Sequence, residues 1–197
     1  QNIKWKQQFK EKHLKNLIEL SKAPVVTSQS PAPTHIIWPE TSVPFILDGN
    51  MPILKDAFGD DSSLADIARI IPKKGALLIG SLRKTGGGKE RVKLWNSLQV
   101  IDADAKIIRT FNKFHLVPFG EYVPFRKYLE NIIIVEKLIK KRLDFVIGPG
   151  PQTIQVPGAP LVSPLICYEV IFSGAVRASL KKGVPEPEWL LNITNDA

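Results

Sequence analysis

A mixed α/β domain with layered sheets is what this sequence predicts, on three observations. Thirteen glycines and sixteen prolines in 197 residues supply too many turns for a helical bundle. Short apolar runs of strand length, closed by proline or glycine, recur from His35 onward, and stretches of helical periodicity lie between them. With 44% apolar and 23% charged residues, the chain can bury one sizeable core, which excludes disorder as its overall description.

Residues 5–21 place Phe9, Leu14, Leu17 and Ile18 on one stripe among lysines and glutamates, the pattern of an amphipathic surface helix. A serine- and proline-rich loop at 23–33 leads to a short strand, His35 to Trp38, which stops at Pro39-Glu40. A carboxylate at a strand end sits where parallel α/β folds build sites. Residues 62–71 predict a helix capped by Ser62 or Ser63 and ended by Pro72. Residues 75–80 then read as a buried strand.

The glycine-rich stretch 85–90 superficially suggests a phosphate loop, but Lys89 is not followed by serine or threonine and no apolar helix succeeds it. A hairpin turn or mobile loop is the expectation there. Residues 96–102 and 106–110 predict a hairpin around an Asp-Ala-Asp-Ala turn. Residues 152–156 and 161–166 predict two further strands split by Pro157-Gly158. A helix over 172–182 closed by Gly183 and a last strand, Trp189 to Ile193, complete the order. Because the sequence stops at Asn195-Asp196-Ala197, directly after a strand, further sequence is expected beyond it, and a first strand before Gln1.

One cysteine excludes an internal disulfide framework, and His13, His35 and His115 lack metal-ligand spacing, so no metal or other cofactor is expected. No run approaches the roughly 20 apolar residues of a membrane span, and the N-terminus lacks a signal-peptide core. A formal charge of +8 suits an anionic partner, a phospholipid surface or nucleic acid. The basic residues alternate with isoleucines rather than with aromatic platforms that stack on bases, which disfavours nucleic acid.

Cys167 follows the apolar run 161–166 and precedes Tyr168-Glu169. Alone it reads either as a small buried hydrophobe or as a nucleophile, and a nucleophile needs a base and a donor for the oxyanion. Glu40 and Glu121 are the candidate bases, and Lys113 is set among Phe111, Phe114 and Leu116 rather than in a charged run. Charges in such surroundings need partners, so a purely structural buried lysine–glutamate pair is the alternative.

With these residues in place, the chain resembles the nitrilase superfamily, whose catalytic glutamate, lysine and cysteine follow one another as Glu40, Lys113 and Cys167 do. More narrowly, residues 38–41 (WPET), 96–98 (NSL), 112–124 (NKFHLVPFGEYVP), 166–169 (ICYE) and 191–197 (LNITNDA) are similar to the apolipoprotein N-acyltransferase family. The resemblance implies an α-β-β-α sandwich of two mixed sheets flanked by helices, truncated at the C-terminus, with the whole of 1–197 one domain of a larger membrane protein. It further implies a bacterial inner-membrane location with this domain facing the periplasm.

The resemblance assigns Glu40 as general base, Lys113 as oxyanion stabiliser and Cys167 as acyl carrier, with Glu121, Tyr168 and Glu169 in support. Trp38, His115, Phe119, Tyr122, Asn192 and Asn195 are expected near the pocket, and Asp196 with them. The implied reaction moves a fatty acyl chain from a phospholipid, through a cysteine thioester, to the N-terminal amine of a diacylglyceryl-cysteine apolipoprotein. Residues 126–142, with six basic side chains against two acidic ones and an apolar stripe including Ile133 and Leu138, suggest a lid or membrane-facing segment. Competing readings are a soluble nitrilase-type amidase, which ends with water, and a non-catalytic lipid- or lipoprotein-binding domain. A monomer is expected.

Overall fold

The computed structural model describes residues 7–22, 33–43, 46–48, 67–87, 92–125, 144–172 and 185–195. Helix α1 (Gln7–Lys22) buries Leu14 and Ile18 and half-buries Leu17, side chains three and four residues apart that share one face. That face packs on Trp38, Leu77, Ile79 and Ile101, joined by Ile67 and Ile71. Residues 67–70 are helical, and Pro72 follows where the helix has ended.

Five strands form the larger sheet: β1 (His35–Trp38), β2 (Ile46–Asp48), β3 (Ala76–Thr85), β4 (Lys93–Ile101) and β5 (Ile107–Asn112). β1 and β2 both run parallel to β3 along one of its edges, β4 lies antiparallel on the other edge, and β5 is antiparallel to β4. Strand β3 is buried on both faces, which explains its unbroken run Ala76-Leu77-Leu78-Ile79. Leu77 and Ile79 point toward the helices. Ala76 and Leu78, one pleat away, meet Leu98, Val100 and Phe111 and the second sheet.

That second sheet pairs β6 (Val162–Ile166) in parallel with β7 (Trp189–Ile193), and Val162, Ile166, Leu191 and Ile193 press onto the larger sheet. The described residues thus stack as helix, sheet and sheet. The hairpin expected around Asp102–Ala105 is present, with Asp102 Oδ1 accepting from Asp104 N and Lys106 N. Thr85, the last residue of β3, pairs with Lys93 at the start of antiparallel β4, and residues 88–90 of the glycine-rich stretch lie outside the described residues.

Two expectations require correction. Residues 152–156 do not form a strand; only Ile154 bridges to Val162, because Pro151, Pro157 and a turn at Pro157–Ala159 leave little backbone for a ladder. Phe172 does not begin a helix: a 3-10 turn spans Cys167–Ile171 and Phe172 is extended. The remainder of that predicted helix, residues 62–66 of the earlier one, and the 126–142 segment with Ile133 and Leu138 lie outside the described residues. Among the described residues, no helix is long and apolar enough to cross a membrane.

Strand direction decides where the polar groups gather. Because β1, β3 and β5 run the same way, the residues that follow β1 and β5 emerge at one end of the sheet, and β4 begins at that end. Gly80 makes this possible: any Cβ there would collide with Pro39 O and Glu40 Cα. Gly80→Ala should therefore lower stability by about 1–3 kcal/mol through forced overpacking, as read by denaturant unfolding. Gly120→Ala, whose Cβ would meet Val117 side-chain and carbonyl atoms at ordinary contact distances of 3.4 Å or beyond, should be tolerated.

Candidate active site

Glu40 lies at a gap in an edge. The chain pairs with β3 through β1, leaves it at Pro39, and rejoins through β2, so residues 39–43 bulge away opposite Gly80. Ser42 N and Ser42 Oγ both donate to Gly80 O, at 2.9 and 3.1 Å, and Thr41 adopts a left-handed φ of 45°. His13 Nε2 on α1 lies 2.8 Å from Ser42 O and braces the same turn from behind. Glu40 is thereby held at the sheet end and is buried.

Lys113 is the first residue after β5, and its N–H still donates to Asn96 O at 2.9 Å, prolonging the ladder with β4. Residues 144–148 then cross behind it: Phe145 N donates to Glu121 O, Val146 N to Leu94 O and Gly148 N to Lys113 O. Gly148 is required there, since a Cβ would run into Asn112 O. The result is an ammonium group on a side chain only 1% exposed.

Its compensation comes from two carboxylates. Lys113 Nζ donates to Glu121 Oε1 at 2.9 Å and stands 3.6 Å from Glu40 Oε1. Glu121 is the firmly held partner, taking Asn96 Nδ2 at 3.0 Å on Oε1 and Val117 N at 2.9 Å on Oε2. Glu40 takes the other Asn96 N–H at 2.7 Å. One acid is therefore locked to the lysine, and the other is close enough to exchange charge with it while tied to it more loosely.

Cys167 follows β6 directly and adopts φ 56°, a left-handed conformation unusual outside glycine. Strain of this kind clusters at functional sites, and here it turns the thiol-bearing residue sharply off the strand end. Cys167 is half-buried, with its side chain against the core between the sheets, and forms no disulfide.

Two ties bring that strand end to the glutamates. Glu169, fully buried, accepts from Phe114 N at 2.6 Å and His115 N at 2.9 Å, and also from Ile166 N at 2.8 Å. The turn carrying Cys167 is thus fastened to the two residues after Lys113. Two residues past β7, Asn195 Nδ2 donates to Glu40 O at 3.2 Å, and the Asn192 amide, in the orientation that puts its nitrogen rather than its oxygen toward acceptors, donates to Leu165 O at 3.2 Å and Cys167 O at 3.3 Å.

Other expected residues are distributed unevenly. Trp38 packs in the helix-side core, its Nε1 donating to Ser21 Oγ. His115 is stacked on Phe172 with ring centroids 3.7 Å apart, and Tyr168 is exposed. Phe119 and Tyr122 line a cavity beside Glu121, together with Val123, Asp144 and Phe145. Asp196 lies outside the described residues. Sequence reasoning gave Asn96 no role beyond its place in the 96–98 segment, and β4 carries Ser97 and Gln99 as well, so polarity within the strand did not single it out. No group of three metal-ligating side chains occurs among the described residues.

Buried carboxylates, an ammonium group and, on the turn fastened beside them, a thiol are side chains of the kinds that nucleophilic acyl chemistry uses. The carbon–nitrogen hydrolase family profile matches residues 3–185. The apolipoprotein N-acyltransferase of Bradyrhizobium diazoefficiens is 36% identical over 165 residues, covering 83% of this chain and 28% of that protein. The corresponding protein of Allorhizobium ampelinum is 35% identical over 188 residues, covering 95% of this chain and 32% of that one. The chain therefore spans about a third or less of these relatives' lengths. Among solved structures, a carbon–nitrogen hydrolase from Helicobacter pylori G27 superposes with a TM-score of 0.58 at 19% identity, over 94% of this chain and 55% of that one, a likeness of fold.

Two outcomes test this geometry. Glu121→Ala leaves the buried ammonium with only Glu40 at 3.6 Å and should cost about 3–5 kcal/mol in unfolding free energy. Burial holds the Glu169 carboxyl above its ordinary value of 4.5, against the opposing pull of the His115, Ile166 and Phe114 N–H groups and Lys113. The folded chain thus binds this proton more tightly than the unfolded one. The stability it contributes is whole below pH 4.5 and is lost as pH rises through the higher folded value. Glu169→Gln should flatten that slope in pH-dependent unfolding. It should also destabilise by about 1–3 kcal/mol, because an amide N–H then opposes a backbone N–H.

Proposed function

The chain belongs to the carbon–nitrogen hydrolase family, and on that premise we propose that it is the acyl-transferring domain of an apolipoprotein N-acyltransferase. The observation that carries this reading is the buried Lys113 held between Glu121 and Glu40 at the sheet end to which the Cys167 turn is fastened. The name carried by its relatives supplies the acyl-transfer class.

In the first half-reaction Glu40 takes the Cys167 proton and the thiolate attacks an ester carbonyl of a phospholipid. Lys113 neutralises the oxyanion of the tetrahedral intermediate, charge that is absent from the ground state. The ester C–O bond breaks, Glu40 returns the proton to the departing alkoxide, and a thioester and a lysophospholipid result. In the second, the N-terminal amine of a diacylglyceryl-cysteine lipoprotein attacks the thioester, Glu40 takes the amine proton, and the C–S bond breaks to release the amide. Glu40 then returns the proton to the thiolate. Glu121 holds Lys113 in place, and Glu169 keeps the Cys167 turn against residues 114 and 115.

A lipid acyl donor places the whole protein at a membrane, in the bacterial inner membrane with this domain on the periplasmic side. The six basic and interleaved apolar residues of 126–142 supply sequence chemistry for that surface. A small-amide hydrolase has no need of such a segment.

Full-length protein incubated with phospholipid, then analysed by intact mass, should gain one acyl chain on Cys167 and lose it when a lipopeptide amine is added. Glu40→Gln and Lys113→Met should each suppress adduct formation by about a hundredfold or more. Failure of native protein to form the adduct under turnover conditions would sink the acyl-transfer reading, and adduct loss to water alone would favour an amidase.

A further inference from the structure

Two like-charged carboxylates converge on a single ammonium, and one neutral side chain stands between them. Asn96 is 3% exposed on β4, and its Nδ2 donates one hydrogen to Glu40 Oε1 at 2.7 Å and the other to Glu121 Oε1 at 3.0 Å. Its Oδ1 is buried and accepts no hydrogen bond among the described residues. Leaving a buried acceptor unpaired is unfavourable. This amide nevertheless keeps both donors on the acids, since the reversed orientation would set its oxygen against two carboxylates.

We propose that Asn96 is a positioning residue that orders the two acids, fixing Glu40 for proton exchange while Glu121 stays locked to Lys113. The division of labour follows from donor arithmetic. Glu121 has Lys113 and Val117 N besides Asn96 and would remain anchored without it. Glu40 would keep only the looser 3.6 Å approach of Lys113 to Oε1. The charged groups facing Glu40 are Lys113 and Glu121; His13 touches its turn through Ser42 O, Asn195 touches its backbone O, and Glu169 feels the Lys113 charge from the Cys167 turn.

The backbone reinforces the placement. Asn96 O also accepts from Lys113 N at 2.9 Å, so the same residue sets the height of the lysine through its main chain and of both acids through its side chain. Its neighbour Ser97 donates from Oγ to Asn112 Oδ1 at 2.8 Å, and Arg83 Nη2 donates to the same oxygen at 3.0 Å, pinning the residue before Lys113 from the helix-facing side of the sheet.

This inference rests on Glu40 acting as the base for Cys167, and its test separates the two. In the full-length protein, alkylation of Cys167 by iodoacetamide between pH 5 and 9 reports thiolate formation without acyl chemistry. Asn96→Ala and the near-isosteric Asn96→Asp should both move the acid limb of that profile to higher pH and slow the neutral-pH rate by about tenfold. Asn96→Asp should show the larger displacement because it adds a third carboxylate. If Glu40→Gln removes the limb and both Asn96 variants, folded by circular dichroism, leave it in place, then Asn96 only fills space and the inference is overturned. If Glu40→Gln leaves the limb unchanged, the base assignment falls and the inference falls with it.

Discussion

A positive charge sealed from water at the end of β5 is the constraint that organises this protein. An unpaired ammonium with Lys113's burial would be prohibitively unfavourable, so its surroundings must supply opposite charge with good hydrogen-bond geometry. Glu121 meets that need from the loop after the lysine and Glu40 from the break between β1 and β2. The remaining features of this end follow from bringing those two acids close. Gly80 lets the Pro39–Glu40 turn touch β3, Gly148 lets residues 144–148 close behind Lys113, and Asn96 donates a hydrogen bond to each carboxylate.

The two sheets divide the work. The larger holds the acid and the cation on strands that share a direction, and its apolar faces are covered by helix on one side and by β6 and β7 on the other. The smaller carries the thiol. A strand that ends in a left-handed residue has to be fastened, and the Glu169 carboxylate does so with three backbone N–H groups drawn from both sides of the junction. Glu169 joins the sheets where a hydrophobic contact could not specify orientation.

Much of this was legible in the sequence. Strand β1 and the first half of β3 stood out because their apolar runs meet Pro39 and Gly80, β6 and β7 as short apolar runs, and the 102–105 turn through its two aspartates, while the continuation of β3 to Thr85 did not. Lys113 drew attention because it sits among Phe111, Phe114 and Leu116, Glu40 and Cys167 because each follows an apolar strand, and their order resembles the superfamily to which the carbon–nitrogen hydrolase profile assigns the chain. The expected strand at 152–156 failed since its alternation was real but its flanking prolines limited pairing to one bridge. The bulge at Glu40 could not be read because it depends on Gly80, forty residues away, and a close approach leaves no local pattern. Asn96 was overlooked for a related reason: β4 also carries Gln99, and a carboxamide in a strand acquires meaning only when its partners are placed.

Sequence separation within the charged group carries an implication for how the chain reaches its final form. Lys113 and Glu121 are eight residues apart, whereas Glu40 lies 56 residues from the Asn96 amide that holds it. The first pair closes a short loop at small entropic cost and can form while the sheets are still assembling; the second waits for long-range pairing of β1 with β3. The counter-ion that grips the lysine at 2.9 Å is thus its neighbour along the chain, and the acid standing off at 3.6 Å is the one recruited from far away.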